Sequence, residues 1–340
     1  MNEWHERLWK PDKPAYRAAS ALLIPAELAY RAAVAARSWM YDRNILSSVD
    51  SPIPALGVGN LTVGGTGKTP MAAWFAETLA VRGRRPAIVM RGYGGDEVEV
   101  HRLLNPEVPV HAAADRIEGV RRAARGGADV VVLDDAFQHR ALRPDVQVVL
   151  LAAEEWNAAP HLLPRGPWRE PLAALERATL IVTTRKVAAR NDAQRVSGEL
   201  ADFCPSAETA EACIGLAGLA RYDVASGGLG EAASPEGFHC ALAVAGVARP
   251  ATVFAQLEQA GATADDRWGF SDHHRYSRAE ITRIAEQGRR GPLVATLKDA
   301  VKLGTLLGSA VDLYVPLQRV EWESGREAVD RLLFGLERQE

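Results

Sequence analysis

The residues best equipped for chemistry form one run, Gly57-Val-Gly-Asn-Leu-Thr-Val-Gly-Gly-Thr-Gly-Lys-Thr-Pro70. Gly64, Gly65 and Gly67 leave backbone amides free to point at anionic oxygens, Lys68 supplies an ammonium, and Thr69 supplies a hydroxyl of the kind that ligates magnesium. With Val63 and Thr66 between them, they make a phosphate-binding loop. The strict pattern has a further glycine where this chain has Thr62, and the Gly64-Gly65 pair restores the flexibility. Downstream, Asp134 and Asp135 close the apolar run Val130-Val-Val-Leu133. A carboxylate ending a buried strand is the second part of such a site, holding the cation of a bound nucleotide directly or through water. Adjacent carboxylates point in different directions, so one is expected near magnesium while the other orients water or a basic side chain. A plain strand terminus also carries such pairs, and the loop upstream favours the metal reading.

These groups need elements to hold them. Residues 53–58 have the apolar character of a short buried strand, and 71–81 suit a helix whose positive N-terminus faces the phosphates. Further strands are expected at 86–90, 129–133, 146–151 and 179–183, with a helix at 116–124. That alternation points to parallel strands with crossover helices, whose ligands gather at the strands' carboxyl ends, so the loop, Tyr93 and the two aspartates should share one cleft. A second lobe starts within 202–211 and carries strands at 241–245, 293–296 and 313–315. The expected fold is α/β, a P-loop NTPase-like, mostly parallel sheet flanked by helices. Its expected organisation is an N-terminal amphipathic helical segment at 1–45, a P-loop core at 46–205, and a smaller α/β lobe at 206–340 closing over the cleft.

A net charge of −3 argues against a surface built to coat a polyanion, so nucleic acid is not an expected partner, and no obligate protein partner is inferred. The chain's 340 residues, 47% of them hydrophobic, suit about two domains. Cys204, Cys213 and Cys240 are too few and too widely spaced for a disulfide framework or a zinc site and read as small buried residues. Residues 18–36 are almost entirely apolar, yet Pro25, Glu27 and Arg31 interrupt them, and Trp4, Trp9, Tyr16, Trp39 and Tyr41 flank them. That pattern does not suit a spanning helix. It suits a helix at a membrane interface, with Arg17, Arg31 and Arg37 toward anionic headgroups, or one packed on the protein's own core.

Taken together these residues resemble the tetraacyldisaccharide 4'-kinases of lipid A biosynthesis. The resemblance rests on Val58 to Pro70 and on Asp134-Asp-Ala-Phe-Gln-His-Arg140, with Ala136 where the family has glycine. Supporting matches are Arg91-Gly-Tyr93, Gly95-Asp-Glu97, Ala114-Asp-Arg116, Leu163-Pro-Arg-Gly-Pro-Trp-Arg-Glu-Pro171, Gly246-Val-Ala-Arg-Pro250, Phe270-Ser-Asp-His273 and Lys298-Asp-Ala-Val-Lys-Leu303. It implies a peripheral or monotopic enzyme at the cytoplasmic face of a bacterial inner membrane. That enzyme would use ATP and Mg²⁺ to phosphorylate the 4'-hydroxyl of a tetraacylated disaccharide 1-phosphate, the lipid A disaccharide precursor. It also tilts the N-terminal helix toward the interface. Asp96 falls where the family has its base, and His273 where it has that base's partner. Asn60 and Gln138 would orient phosphate or the metal's water, Arg116 and Arg169 would neutralise phosphate charge, and Glu170 would complete the polar network at the metal.

Two departures from the family pattern matter. Family members carry a longer stretch between the Arg-Gly-Tyr and Gly-Asp-Glu segments, so the shortened loop with Asp96 is expected to approach the cleft differently. Leu297 replaces a polar residue that a nucleotide contact there would use. Two other classes compete with the kinase reading. A GTP-dependent switch should carry Asn-Lys-x-Asp for guanine, and neither Thr184-Arg-Lys186 nor Thr296-Leu-Lys-Asp299 reproduces it. A nonenzymatic membrane-associated ATP-binding scaffold would keep the loop without turning over a lipid acceptor.

Overall fold

The computed structural model describes residues 9, 14–92, 95–157, 160–308 and 311–337; Tyr93, Trp4 and the side chains of Tyr16 and Arg17 lie outside the described residues. The strands in chain order are β1 (Val49–Asp50), β2 (Ala55–Asn60), β3 (Pro86–Met90), β4 (Val110–Ala112), β5 (Val130–Asp134), β6 (Leu142–Arg143), β7 (Val146–Ala152), β8 (Leu180–Arg185), β9 (Glu208–Asp223), β10 (Gly228–Ala233), β11 (His239–Gly246), β12 (Thr263–Phe270), β13 (Leu293–Ala295) and β14 (Leu313–Ser324). Among the described residues, β1 pairs with β6, and the other strands form one sheet in the order β12-β11-β13-β14-β9-β8-β7-β2-β5-β3-β4, with β10 added on β9. Every neighbouring pair is parallel except β9 with β14 and β10 with β9. The expected parallel α/β core is present.

Register explains where the cleft lies. β8 pairs with β9 from Glu208 to Cys213, whereas β14 pairs with β9 from Glu211 to Arg221. The second half of the sheet is therefore shifted along β9, past the carboxyl end of β8. Because β14 reverses direction, β13 and β11, which run parallel to it, head back toward the first half. The carboxyl ends of β2, β5, β7 and β8 thus face those of β11 and β13, across a floor that includes Leu216, Pro316 and Gln318.

The chain does not divide cleanly at 205/206. β9 belongs to both halves, and the last helix, Arg326–Glu337, buries Ala328, Val329, Leu333 and Leu336 in the same core as Leu56, Phe75 and Val132. Trp322 packs edge-on against Trp74 with ring centroids 5.2 Å apart. The C-terminal residues thus rejoin the P-loop half, because the far end of the long β14 lies alongside the part of β9 that pairs with β8. The helix after the loop, Lys68–Val81, is apolar around most of its circumference, burying Met71, Ala72, Ala73, Phe75, Ala76 and Leu79, as a helix enclosed between a sheet and neighbouring helices must.

Two helices, Pro14–Leu22 and Ile24–Asp42, occupy the stretch expected as one amphipathic helix. Pro25 near the start of the second lacks an amide hydrogen to continue the preceding turn, so the helix begins anew there. One face packs on the protein itself. Buried Glu27 accepts the Leu162 amide at 3.0 Å and pairs with Arg165 at 3.3 Å. Tyr30 donates to the Arg169 carbonyl at 3.0 Å and Arg37 to the Gln138 carbonyl at 2.9 Å. Elsewhere on these helices Leu22 (82% exposed), Ile24, Leu28 (59%) and Trp39 (54%) face outward. No helix among the described residues is long and apolar enough to cross a membrane. Cys204 and Cys240 are buried as expected, but Cys213 is only partly so, since it lies opposite Arg185 where β9 leaves β8.

Candidate active site

β2 is buried along its whole length and delivers the loop at its carboxyl end. Hydrogen bonds to the loop's carbonyls and hydroxyls fix its shape. Asn60 Nδ2 donates to Thr66 Oγ1 at 3.0 Å, Thr184 Oγ1 to the Thr66 carbonyl at 2.9 Å, and Lys186 Nζ to the Gly65 carbonyl at 2.9 Å. The Val63 amide reaches the Pro167 carbonyl at 2.8 Å, and Thr62 Oγ1 donates to Glu155 at 3.4 Å. Among the described residues no side-chain cap hydrogen bond is made at the N-terminus of the helix Lys68–Val81, whose first amides remain available to an anion. Gly67 turns the chain into that helix at φ 91°, and a Cβ there would lie 2.0 Å from Ile214 Cδ1. Gly67→Ala is therefore expected to destabilise the fold by about 1–2 kcal/mol through left-handed strain alone. A lowered urea midpoint together with weakened nucleotide binding checks this, and an unchanged midpoint refutes it.

The strand-end aspartates do divide their contacts. Asp135 is 3.5 Å from Lys68 Nζ, and Arg169 Nη1 donates to both its oxygens at 3.2 Å and to Gln138 Oε1 at 3.2 Å. Partial burial by itself would raise the Asp135 carboxyl, but Lys68, Arg169 and Arg116 outweigh it and hold the group below the usual carboxylate range. Its backbone is left-handed at φ 51°, an unfavourable conformation for a non-glycine residue that the surrounding contacts must maintain. Asp134 is buried, with Oδ2 2.9 Å from His101 Nε2 and Oδ1 without a partner among the described residues. Arg116, also buried, donates to the carbonyls of Asp134 at 3.1 Å and Asp135 at 3.3 Å.

Asp96 starts a helix, Asp96–Leu104, instead of riding on a loop. Its Oδ2 lies 3.0 Å from Lys302 Nζ and 3.4 Å from His273 Nδ1, and Glu97 beside it pairs with Lys298 at 2.6 Å. Burial pushes the Asp96 carboxyl up, while Lys302, His273 and Lys298 together pull it lower than its ordinary value. His273 is the second non-glycine residue of the site with a left-handed backbone, at φ 56°. The helix Asp96–Leu104 thus joins the halves, and the shortened connection from Arg91 still brings Asp96 to His273.

Two cavities meet at His273. One, of about 390 Å³, is lined by Gly64 to Thr69, Asp134, Asp135 and Arg169 on the first side and by Val247, Arg249, Leu297, Lys298 and His273 on the second. The other, of about 520 Å³, is lined by Asp96, His273, Arg275, Tyr276, Lys302 and Leu306. Leu297 therefore does border the nucleotide-sized cleft, although it brings no polar group. Asn60, Thr62, Val63, Arg116 and Gln138 brace the cleft from behind without lining it. Glu170, expected near the metal, instead pairs with Arg177 at 2.8 Å, outside the cleft lining, where Arg177 also covers the Phe137 ring. Sequence reasoning assigned no role to His101, Lys302, Lys186 or Arg249; Arg249 pairs with Glu155 at 3.0 Å across the cleft. Glu154 and Glu155 follow β7, so the rule that ligands gather at carboxyl ends would have flagged them.

Among the described residues no group of three or more His, Cys, Asp or Glu side chains is arranged to hold an ion. A nucleotide-borne Mg²⁺ needs only one or two carboxylates beside the phosphates. Thr69 at the cleft and the unpartnered Asp134 Oδ1 suit that need.

A P-loop after β2, inside the parallel half of the sheet, with an aspartate pair at the end of neighbouring β5, defines a P-loop kinase fold. The family model described as tetraacyldisaccharide-1-P 4'-kinase matches residues 19–107 and 95–334, and the chain belongs to that family. The two matched stretches overlap over residues 95–107, the helix that begins at Asp96 and the residues just after it. A tetraacyldisaccharide 4'-kinase of Anaeromyxobacter dehalogenans is 36% identical, over 95% of this chain and 92% of the relative. One from Chlorobium luteolum is 34% identical, over 84% and 88%. The crystal structure of LpxK from Aquifex aeolicus in complex with ATP superposes with a TM-score of 0.72 at 25% identity, covering 94% of this chain and 99% of that one.

Proposed function

We propose that this protein transfers the γ-phosphoryl group of ATP to the 4'-hydroxyl of a tetraacyldisaccharide 1-phosphate, giving the 1,4'-bisphosphate. One observation carries the reading: a carboxylate–histidine pair stands where a phosphate-binding cleft meets a second cavity. The loop amides, Lys68 and Arg169 take the nucleotide's phosphates. Thr69 and Asp134 would hold Mg²⁺, which supplies charge neutralisation across the phosphates. The acceptor hydroxyl enters from the second cavity, Asp96 accepts its proton, and His273 keeps the carboxylate oriented. A Lys or Arg near a carboxylate lowers its basicity, yet a loose phosphoryl-transfer transition state asks mainly for orientation of the nucleophile. An assay of ³²P transfer from γ-labelled ATP to the purified disaccharide 1-phosphate tests the reading; ATP binding without transfer would leave the scaffold class standing.

The protein works at the cytoplasmic face of the inner membrane, with the exposed apolar residues of its N-terminal helices in the interface. Deleting the helices is a poor test, because Glu27 and Tyr30 brace the segment that carries Arg169. Replacing Leu22, Leu28 and Trp39 by serine spares those contacts. Each large apolar side chain contributes about 1.5–3 kcal/mol when fully buried, so even partial insertion of three predicts at least about a tenfold loss of liposome partitioning. The lipid acceptor's KM should rise, with nucleotide affinity unchanged. Equal sedimentation of variant and wild type would return the helices to a purely structural role.

A further inference from the structure

Behind the phosphate cleft lies a histidine that the transfer reaction leaves without a part. His101 has no exposed surface, and its Nε2 lies 2.9 Å from Asp134 Oδ2. Among the described residues its Nδ1 has no partner, and neither has Asp134 Oδ1. With its proton on Nε2 the ring donates to the carboxylate, leaving only the Nδ1 lone pair unmatched, so the polar ring is buried for one directed hydrogen bond. Its helix explains the aim. His101 follows Asp96 by five residues, about 140° further round at about 3.6 residues per turn. One face therefore turns Asp96 toward Lys302 and His273, and the other turns His101 toward Asp134. Val98 and Val100, both buried, set the helix's rotation.

We propose that His101 is a positioning residue. It occupies Asp134 Oδ2 so that Oδ1 is the oxygen left for a divalent cation or its water, and it keys the helix carrying Asp96 to the carboxylate on the phosphate side. The inference rests on the Mg²⁺-nucleotide reading above. It predicts different behaviour from a histidine that merely fills space, whose loss would cost stability alone.

Three variants separate these cases. In His101→Gln an amide can reach where Nε2 was; in His101→Asn it falls one carbon short; His101→Leu has no donor. Calorimetry with a nonhydrolysable ATP analogue, in Mg²⁺ and in EDTA, measures the gain in affinity that the metal confers. Asn and Leu should lose about 10–100-fold of that gain, with EDTA binding changed by less than about twofold and Gln within about threefold of wild type. The Mg²⁺ concentration for half-maximal transfer should rise in parallel. Wild-type metal dependence in Asn and Leu, or Gln no better than Asn, would overturn the proposal. Should Leu fail to fold, the Gln–Asn comparison still decides. Should the wild type bind Mg²⁺-nucleotide but fail to phosphorylate the disaccharide, the transfer reading falls while calorimetry still decides the role of His101.

Discussion

Lys68→Ala is expected to leave a folded protein whose phosphoryl transfer is slower by about 10²–10³-fold, the loss typical of removing one preorganised donor from developing negative charge. The ammonium is largely enclosed, 15% exposed, and 3.5 Å from Asp135. It is therefore aimed before any nucleotide arrives and needs little reorganisation as charge builds on the transferring group. The fold should survive for two reasons. Lys68 contributes nothing to the core that the helix builds from Met71, Phe75 and Leu79. Asp135 also retains Arg169 at 3.2 Å and is 43% exposed, so no buried charge is stranded. Because the loop amides remain, nucleotide affinity should fall less than kcat. Turnover and thermal melting measured on one preparation check this. A melting temperature near wild type with near-normal turnover would remove the loop from the mechanism.

What the residues disclosed in advance, and what they did not, follows from how locally each feature is encoded. The loop was legible because its glycines, lysine and threonine are contiguous and each type has one evident use there. Strands β3, β5, β7 and β8 were legible because strands buried on both faces read as near-continuous apolar runs. The placement of Asp96 was only partly legible. Its helix is short, and its orientation is set by Lys298 and Lys302, some two hundred positions away, at 2.6 Å from Glu97 and 3.0 Å from Asp96. The offset along β9 depends on which residues pair with Cys213 and Arg221, and no local pattern reveals that. Glu170 failed for a related reason. Beside Arg169 in sequence, it was assigned to the same network, but the two residues point to different partners, Asp135 and Arg177. His101 gave no signal at all, since a histidine on a short helix becomes informative only when the strand end beneath it is known.

Asp96→Ala should lose about 10²–10⁴-fold in kcat, the usual contribution of a positioned general base, with ATP affinity little changed because Asp96 lines the second cavity and not the phosphate cleft. His273→Ala should cost less, since Lys302 still faces the carboxylate at 3.0 Å. If the two act as one unit, the double variant should be scarcely slower than Asp96→Ala; fully multiplicative losses would assign them independent roles. The pH profile gives a second, sharper check. Asp96 titrates below its ordinary value of 3.8, so its proton-accepting form persists through the mildly acidic range and any acid limb it causes lies beneath that value. Lys302→Met removes the strongest lowering influence, leaving only His273 and Lys298 to oppose burial. The folded pKa must then rise, and the acid limb of kcat/KM must move to higher pH, with activity regained as pH climbs above it. A Lys302 that only stabilised the fold would lower the melting temperature and move no limb. An active Asp96→Ala enzyme would place the base elsewhere, and Asp135 would be the first residue to test, because it lines the cleft directly and its backbone is already held in a left-handed conformation beside Lys68.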